Sequence, residues 1–213
     1  MKKCNGVLLI GPTGSGKTPL GEFINNKKLF HKNCIHFDFG ANLRRIEQLS
    51  KKNKFEQLKT EFSLLENQDI DIIINSLKNS ALLKNEQFYI AENILLSFIK
   101  EKQISENDII ILNGMPRHTG QAFNIDKIIN VTGIIYLNCR DDVVYKRINT
   151  NSGGDRVKRI DDSLDYINKK LKIFNNRTIP LINYYKEKNI ITYDINISVN
   201  TTPEQIYDLI LNK

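Results

Sequence analysis

The sequence predicts an α/β fold: a doubly wound, five-stranded parallel sheet with helices on both faces. Three observations lead there. Apolar runs of strand length alternate with helical segments along the chain. The first run, Val7-Leu8-Leu9-Ile10, is continuous, as a strand buried on both faces requires. A glycine-rich turn, "GPTGSGKT", then joins that run directly to a helical segment. In order, strands are expected at 6–10, at 34–39 ("CIHFDF"), at 108–113 ("DIIILN"), at 132–138 ("TGIIYLN") and at 189–195 ("NIITYDI"). Helices are expected at 16–28, 41–52, 86–102, 120–129, 141–149, 161–188 and 203–212. Pro19 suits the first of these, because the first helical turn has N–H groups with no partner to lose. The stretch 63–88 is mixed and reads as helix of indefinite limits. In such a sheet, ligands sit beyond the carboxyl ends of the strands.

Gly11, Gly16, Lys17 and Thr18 fit G-x-x-x-x-G-K-[ST], the phosphate-binding loop. Its backbone N–H groups turn onto a polyphosphate, and the following helix adds its positive end. The residues expected at the triphosphate are Gly11, Thr13, Gly14, Ser15, Gly16, Lys17 and Thr18. Lys17 bridges the terminal phosphates, and the Thr18 hydroxyl is placed to ligate Mg²⁺. A nucleoside triphosphate with Mg²⁺ is therefore the expected ligand.

With 213 residues and 40% apolar content, the chain suits a single domain. The net charge of +7 comes mostly from lysines spread along helices, with no block of like charge to suggest a nucleic-acid polymer as partner. Cys4, Cys34 and Cys139 lack metal-ligand spacing and read as reduced packing residues. No apolar stretch reaches about 18 residues and no signal peptide precedes the first strand, so a cytoplasmic monomer is expected, with neither membrane nor nucleic acid as partner.

Arginine is scarce beside lysine, yet it recurs just after strands and in one polar loop. In "FDFGANLRRIE", Gly40 ends the strand and Arg44 falls one turn into the helix, facing the cleft. In "LNGMPRHTGQA", the bend at Gly114 and Pro116 sets Arg117 beside the phosphate loop, and Gln121 follows one turn later. A guanidinium pairs with phosphate oxygens through two parallel hydrogen bonds, which lysine cannot do.

These segments, in this order, resemble the adenylate kinase and nucleoside monophosphate kinase family nearly end to end. "GPTGSGKT" is similar to its phosphate loop, "FGANLR" to T-G-D-x-L-R, "NGMPRHTGQA" to D-G-[FY]-P-R-x-x-x-Q-A, "RIDD" to R-x-D-D, and "TIPLINYY" to T-x-P-L-I-x-Y-Y. The resemblance implies a core of residues 1–39, 85–149 and 160–213, a mobile acceptor-binding lobe at 40–84 and a short lid at 150–159 pivoting on Gly153 and Gly154. By it, Arg44 and Arg117 hold the acceptor's monophosphate with Gly40 and Gly114 beside them, and Gln121 touches the base. Arg147 and Arg159 join Lys17 and Arg117 around the transferring phosphoryl group, Arg156 reaches the space of a family arginine missing near 151, and Asp161 and Asp162 order the lid.

The chain departs from the family in several places. Thr18 stands one position early, Phe39 and Ala41 replace a hydroxyl residue and an aspartate, Lys170 replaces an arginine, and no arginine stands at 151. Asn113 replaces the aspartate where waters on Mg²⁺ would be anchored. Asp38 is open to two readings: it hydrogen-bonds an acceptor hydroxyl and takes its proton, or it caps the following helix. His36 reads as a packed strand residue, and His118 as a neighbour of Arg117. The function these features favour is phosphoryl transfer from MgATP to a nucleoside monophosphate. The alternatives are a kinase of a small hydroxylated metabolite with Asp38 as base, and a non-catalytic nucleotide-binding regulator.

Overall fold

The computed structural model describes residues 3–79, 81–154 and 163–212. Its centre is a five-stranded, all-parallel sheet of β1 (Cys4–Ile10), β2 (Cys34–Asp38), β3 (Ile109–Asn113), β4 (Ile129–Asn138) and β5 (Ile191–Asn196), in the order β2-β3-β1-β4-β5. The expected α/β class is thus the observed one. Around the sheet lie α1 (Lys17–Lys27), α2 (Phe39–Lys51), α3 (Phe55–Glu61), α4 (Asn67–Lys78), α5 (Phe88–Glu101), α6 (Thr119–Ile128), α7 (Asp141–Asn149), α8 (Leu164–Ile173), α9 (Ile179–Glu187) and α10 (Pro203–Leu211).

The continuous apolar strands are explained by two cores, one on each face. Leu8 and Ile10 of β1 pack with Ile110, Leu112, Ile134 and residues of α2, α5, α6 and α9. Val7 and Leu9 pack on the other face with Ile111, Ile135, Leu137 and residues of α1, α7 and α10. Alternate side chains of one strand therefore enter different cores, so no polar position is spared. Leu43, Ile46, Leu58 and Ile73 from α2–α4 join the first core. All three cysteines are free and buried, and burial pushes the thiols of Cys34 and Cys139 up to about 11. Among the described residues, no helix is long and apolar enough to cross a membrane.

Several limits differ from expectation. The helix α2 starts at Phe39 rather than 41, because the Asp38 carboxylate accepts the Ala41 N–H at 2.8 Å and caps it. The end of α6 runs straight into β4, so Ile129 and Val131 are strand. The mixed stretch resolves into α4, whose Asp69 is buried, accepting the Glu66 N–H at 2.9 Å and the Tyr89 hydroxyl at 2.6 Å. The single helix expected at 161–188 is instead α8 and α9, joined by a π-helical turn at Phe174–Thr178. Pro180 is the cause: it lacks an N–H, and its ring would meet the carbonyl four residues back in an unbroken α-helix.

On the sheet face covered by α1, Gly21 sits against His36, and a Cβ there would overlap the imidazole ring. Gly21→Ala is expected to lower stability. The helix would gain about 1 kcal/mol in propensity, but overpacking costs about 1–3 kcal/mol, and the ring must leave the neighbourhood of Asn113. A reduced midpoint in thermal unfolding checks this; a higher midpoint would mean that His36 swings away freely.

Candidate active site

The carboxyl ends of β1, β2 and β3 open together onto one cavity of about 210 Å³. The segment after β1 forms its floor. Gly14 and Gly16 have φ of 75° and 97°, a left-handed conformation that an L side chain resists, and Gly16 caps α1. Lys17 folds back across the loop, and its Nζ donates to the carbonyls of Gly11 and Pro12 at 2.7 Å each. Gly11, Thr13, Gly14, Gly16, Lys17 and Thr18 all line the cavity. Ser15 does not: the whole residue is buried, its hydroxyl lies beside Gly11, and its N–H donates to the Pro12 carbonyl at 3.3 Å.

The expected acceptor residues converge on the same space. Gly40 leaves room for Arg44, whose Nη1 lies 3.2 Å from where a Cβ would stand. Arg117 is held at its backbone from both sides: its N–H donates to Gln121 Oε1 at 2.8 Å, and its carbonyl accepts from Thr178 Oγ1 at 2.9 Å. Its Nε donates to the Gly114 carbonyl at 2.9 Å. Arg44, Arg117, Gly114 and Lys170 line the cavity with Phe174 and Thr178 of the π turn. Gln121 does not; it is 5% exposed and serves Arg117 in this structure. His118 is also buried, between the Leu83 backbone and Arg177, and burial keeps its pKa below the usual histidine value.

Arg147, expected over the phosphoryl group, is 4% exposed and lies against the phosphate loop, its Nη2 beside Gly16. Its Nε donates to the Gly14 carbonyl at 3.0 Å, and its Nη1 to the carbonyls of Ser198, Val199 and Thr201. It ties the phosphate loop to the segment after β5. Arg156, Arg159, Asp161 and Asp162 lie outside the described residues. Gly153 and Gly154 border a second, shallow recess shared with His36, Asp38 and Arg44.

Asp38 is where the structure adds most. The Thr18 hydroxyl donates to its Oδ2 at 2.6 Å, Asn113 Nδ2 donates to the same oxygen at 2.8 Å, and Ala41 holds Oδ1. Asn113 Nδ2 also approaches Thr18 Oγ1 at 3.1 Å and His36 Nε2 at 3.5 Å. Burial alone would raise the Asp38 pKa, but the hydrogen bonds from Thr18 and Ala41 and the charge of Arg44 bring it below the usual carboxylate value. The His36 pKa is also lowered, its burial outweighing the attraction of Asp38. Asn113, expected to reach waters on Mg²⁺, turns its NH₂ rather than an acceptor towards Thr18. Sequence reasoning missed the Thr18–Asp38–Asn113 contact and the cavity wall formed by Ser76, Leu77, Leu82 and Phe174. The signal for the first was present, since Asp38 and Asn113 are the last residues of their strands and pair in register.

No family model matches the chain. It is similar to the adenylate kinase of Buchnera aphidicola subsp. Cinara cedri, with 30% identity over 215 residues, 88% of this chain and 87% of the relative. The adenylate kinase of Prochlorococcus marinus (strain MIT 9301) is 22% identical over 192 residues, 88% of this chain and 87% of the relative. A probable UMP-CMP kinase 2 of Arabidopsis thaliana is 30% identical over 129 residues, 59% of this chain and 45% of the relative.

Proposed function

Because this chain belongs to the adenylate kinase and nucleoside monophosphate kinase family, we propose that it transfers the terminal phosphoryl group of MgATP to a nucleoside monophosphate. The observation that carries the reading is the convergence of Lys17, Arg44 and Arg117, from the segments after three different strands, on one cavity. Two guanidinium groups beside a phosphate loop suit a second anion better than a neutral metabolite.

The chemistry follows from the charges. An acceptor phosphate is already a nucleophile, so the protein must orient two anions, offset their repulsion and exclude water. Lys17 reaches the terminal phosphates of the donor, while Arg44 and Arg117 hold the acceptor. Arg156 and Arg159 join them when the lid segment at 150–159 closes. Arg147 contributes as a positioning residue, fixing Gly14 so that the loop N–H groups keep their direction.

The donor oxygens at the loop fit Mg²⁺, a hard cation that takes few protein ligands and keeps waters and phosphate oxygens. Among the described residues no cluster of three or more His, Cys, Asp and Glu is arranged for a metal, so the protein's share would be small. Thr18 would hold the cation with the triphosphate; when bound, it neutralises charge on the transferring phosphates. The hydroxyl-acceptor reading draws less support, because both Asp38 oxygens already accept hydrogen bonds and its pKa is held below the usual carboxylate value, away from the operating pH that suits a base.

Incubation with MgATP and a panel of AMP, CMP, UMP, GMP and small hydroxylated metabolites tests the proposal. A nucleoside diphosphate formed from at least one monophosphate is expected. Product from a hydroxylated metabolite alone, or from none, would contradict it.

A further inference from the structure

The cavity is rich in cations, with Lys17, Arg44, Arg117 and Lys170 on its walls. Among its described lining residues Asp38 is the one carboxylate. A divalent cation arriving with a polyphosphate would find positive charge on most sides, so the position of that carboxylate matters. It is not isolated in the wall. The Thr18 hydroxyl donates its hydrogen bond to Asp38 Oδ2 at 2.6 Å, which leaves an oxygen lone pair rather than the O–H to face a cation. The neighbouring strand end offers the opposite: Asn113 presents Nδ2, a donor, to Thr18 and Asp38. An amide NH₂ in that orientation neither supplies charge nor accepts a hydrogen bond from metal-bound water.

The two strand ends are in register, Asp38 beside Asn113, and the carboxylate oxygen and the amide nitrogen are 2.8 Å apart. A negative charge at the end of β2 therefore occupies nearly the same space as one at the end of β3 would. The phosphate-loop hydroxyl, one position early in the sequence, is the group that meets it.

We propose that Asp38 is the positioning carboxylate for the divalent cation: it fixes the Thr18 hydroxyl as a ligand and supplies the negative charge that Asn113 lacks. The role is distinct from that of a base or an acceptor contact. It rests on the preceding reading only in requiring a triphosphate on the loop. The cap on α2 survives the informative substitution, because asparagine is as good an N-cap as aspartate. Asp38→Asn removes the charge and keeps the shape.

The test is calorimetric titration with a non-hydrolysable ATP analogue, once in excess Mg²⁺ and once in EDTA. Unaltered protein is expected to bind more tightly with Mg²⁺. Asp38→Asn should lose about 10–100-fold of affinity in Mg²⁺, the scale for groups that orient metal ligands. In EDTA its affinity should be unchanged or higher, since a carboxylate near a bare polyphosphate repels it. Exchanging the two residues, Asp38→Asn with Asn113→Asp, should restore the Mg²⁺ dependence. An Asp38→Asn protein with the full Mg²⁺ effect overturns the proposal, and so does an equal loss in both conditions, which would make Asp38 a support of the loop alone. Unaltered protein that binds the analogue in neither condition would overturn the nucleotide reading as well.

Discussion

Lys17→Ala is expected to slow phosphoryl transfer by at least about 10²–10³-fold, the scale for removing one preorganised group that stabilises transition-state charge, while the protein stays folded. The ammonium lies across the phosphate loop with the carbonyls of Gly11 and Pro12 as partners. Gly11 lines the cavity, so water can replace the lost donor at its carbonyl. The left-handed turns at Gly14 and Gly16 and the Arg147 bond to the Gly14 carbonyl do not depend on Lys17. The loop should keep its shape and lose its mobile charge. Steady-state ADP production measured beside a thermal unfolding curve checks both halves. Near-normal turnover by folded Lys17→Ala protein would remove the phosphate loop from the mechanism.

The second large effect is on the acceptor. Arg44→Ala should weaken binding of the monophosphate by about 2–5 kcal/mol, the range for stripping one partner from a hydrogen-bonded charge pair, with little change in triphosphate affinity. Arg44 lies over Gly40 at the mouth of the cavity, on the helix that begins at the end of β2, and its removal disturbs no described core contact. Arg44→Lys should recover only part of the loss, because a single ammonium cannot reproduce the planar fork. Equilibrium titration with the acceptor found in the panel, in the absence of donor, reads this directly. Unchanged acceptor affinity would take Arg44 out of the acceptor site and favour a different acceptor chemistry.

The parts of this arrangement written locally in the chain were legible in the sequence. Val7-Leu8-Leu9-Ile10 has the continuous pattern of a strand covered on both faces, and "GPTGSGKT" carries its own turn geometry, so the floor of the cavity followed from a single segment. The strand ends also indicated where Arg44 and Arg117 would meet. What the sequence did not reveal depends on contacts between distant residues. The register of β2 on β3 sets Asp38 beside Asn113, and no local pattern specifies that pairing. Asp38 accordingly allowed two readings, and the structure contains the cap on α2 together with a bond to Thr18 that neither reading included. Gln121 shows the same limit: the family resemblance implied a base contact, and the bond by which its buried amide holds the Arg117 N–H had no local signal. Between α8 and α9 the helical pattern continues through the π turn, which absorbs Pro180 without ending the rod, so one helix was expected where two are found.

The central claim, that two anions meet in this cavity and exchange one phosphoryl group, is tested most directly by ³¹P NMR of a reaction with MgATP and the preferred monophosphate. The account predicts one ADP and one new nucleoside diphosphate for each ATP consumed, with no matching growth of the inorganic phosphate signal. Inorganic phosphate appearing in step with ADP, while the monophosphate remains intact, would contradict it.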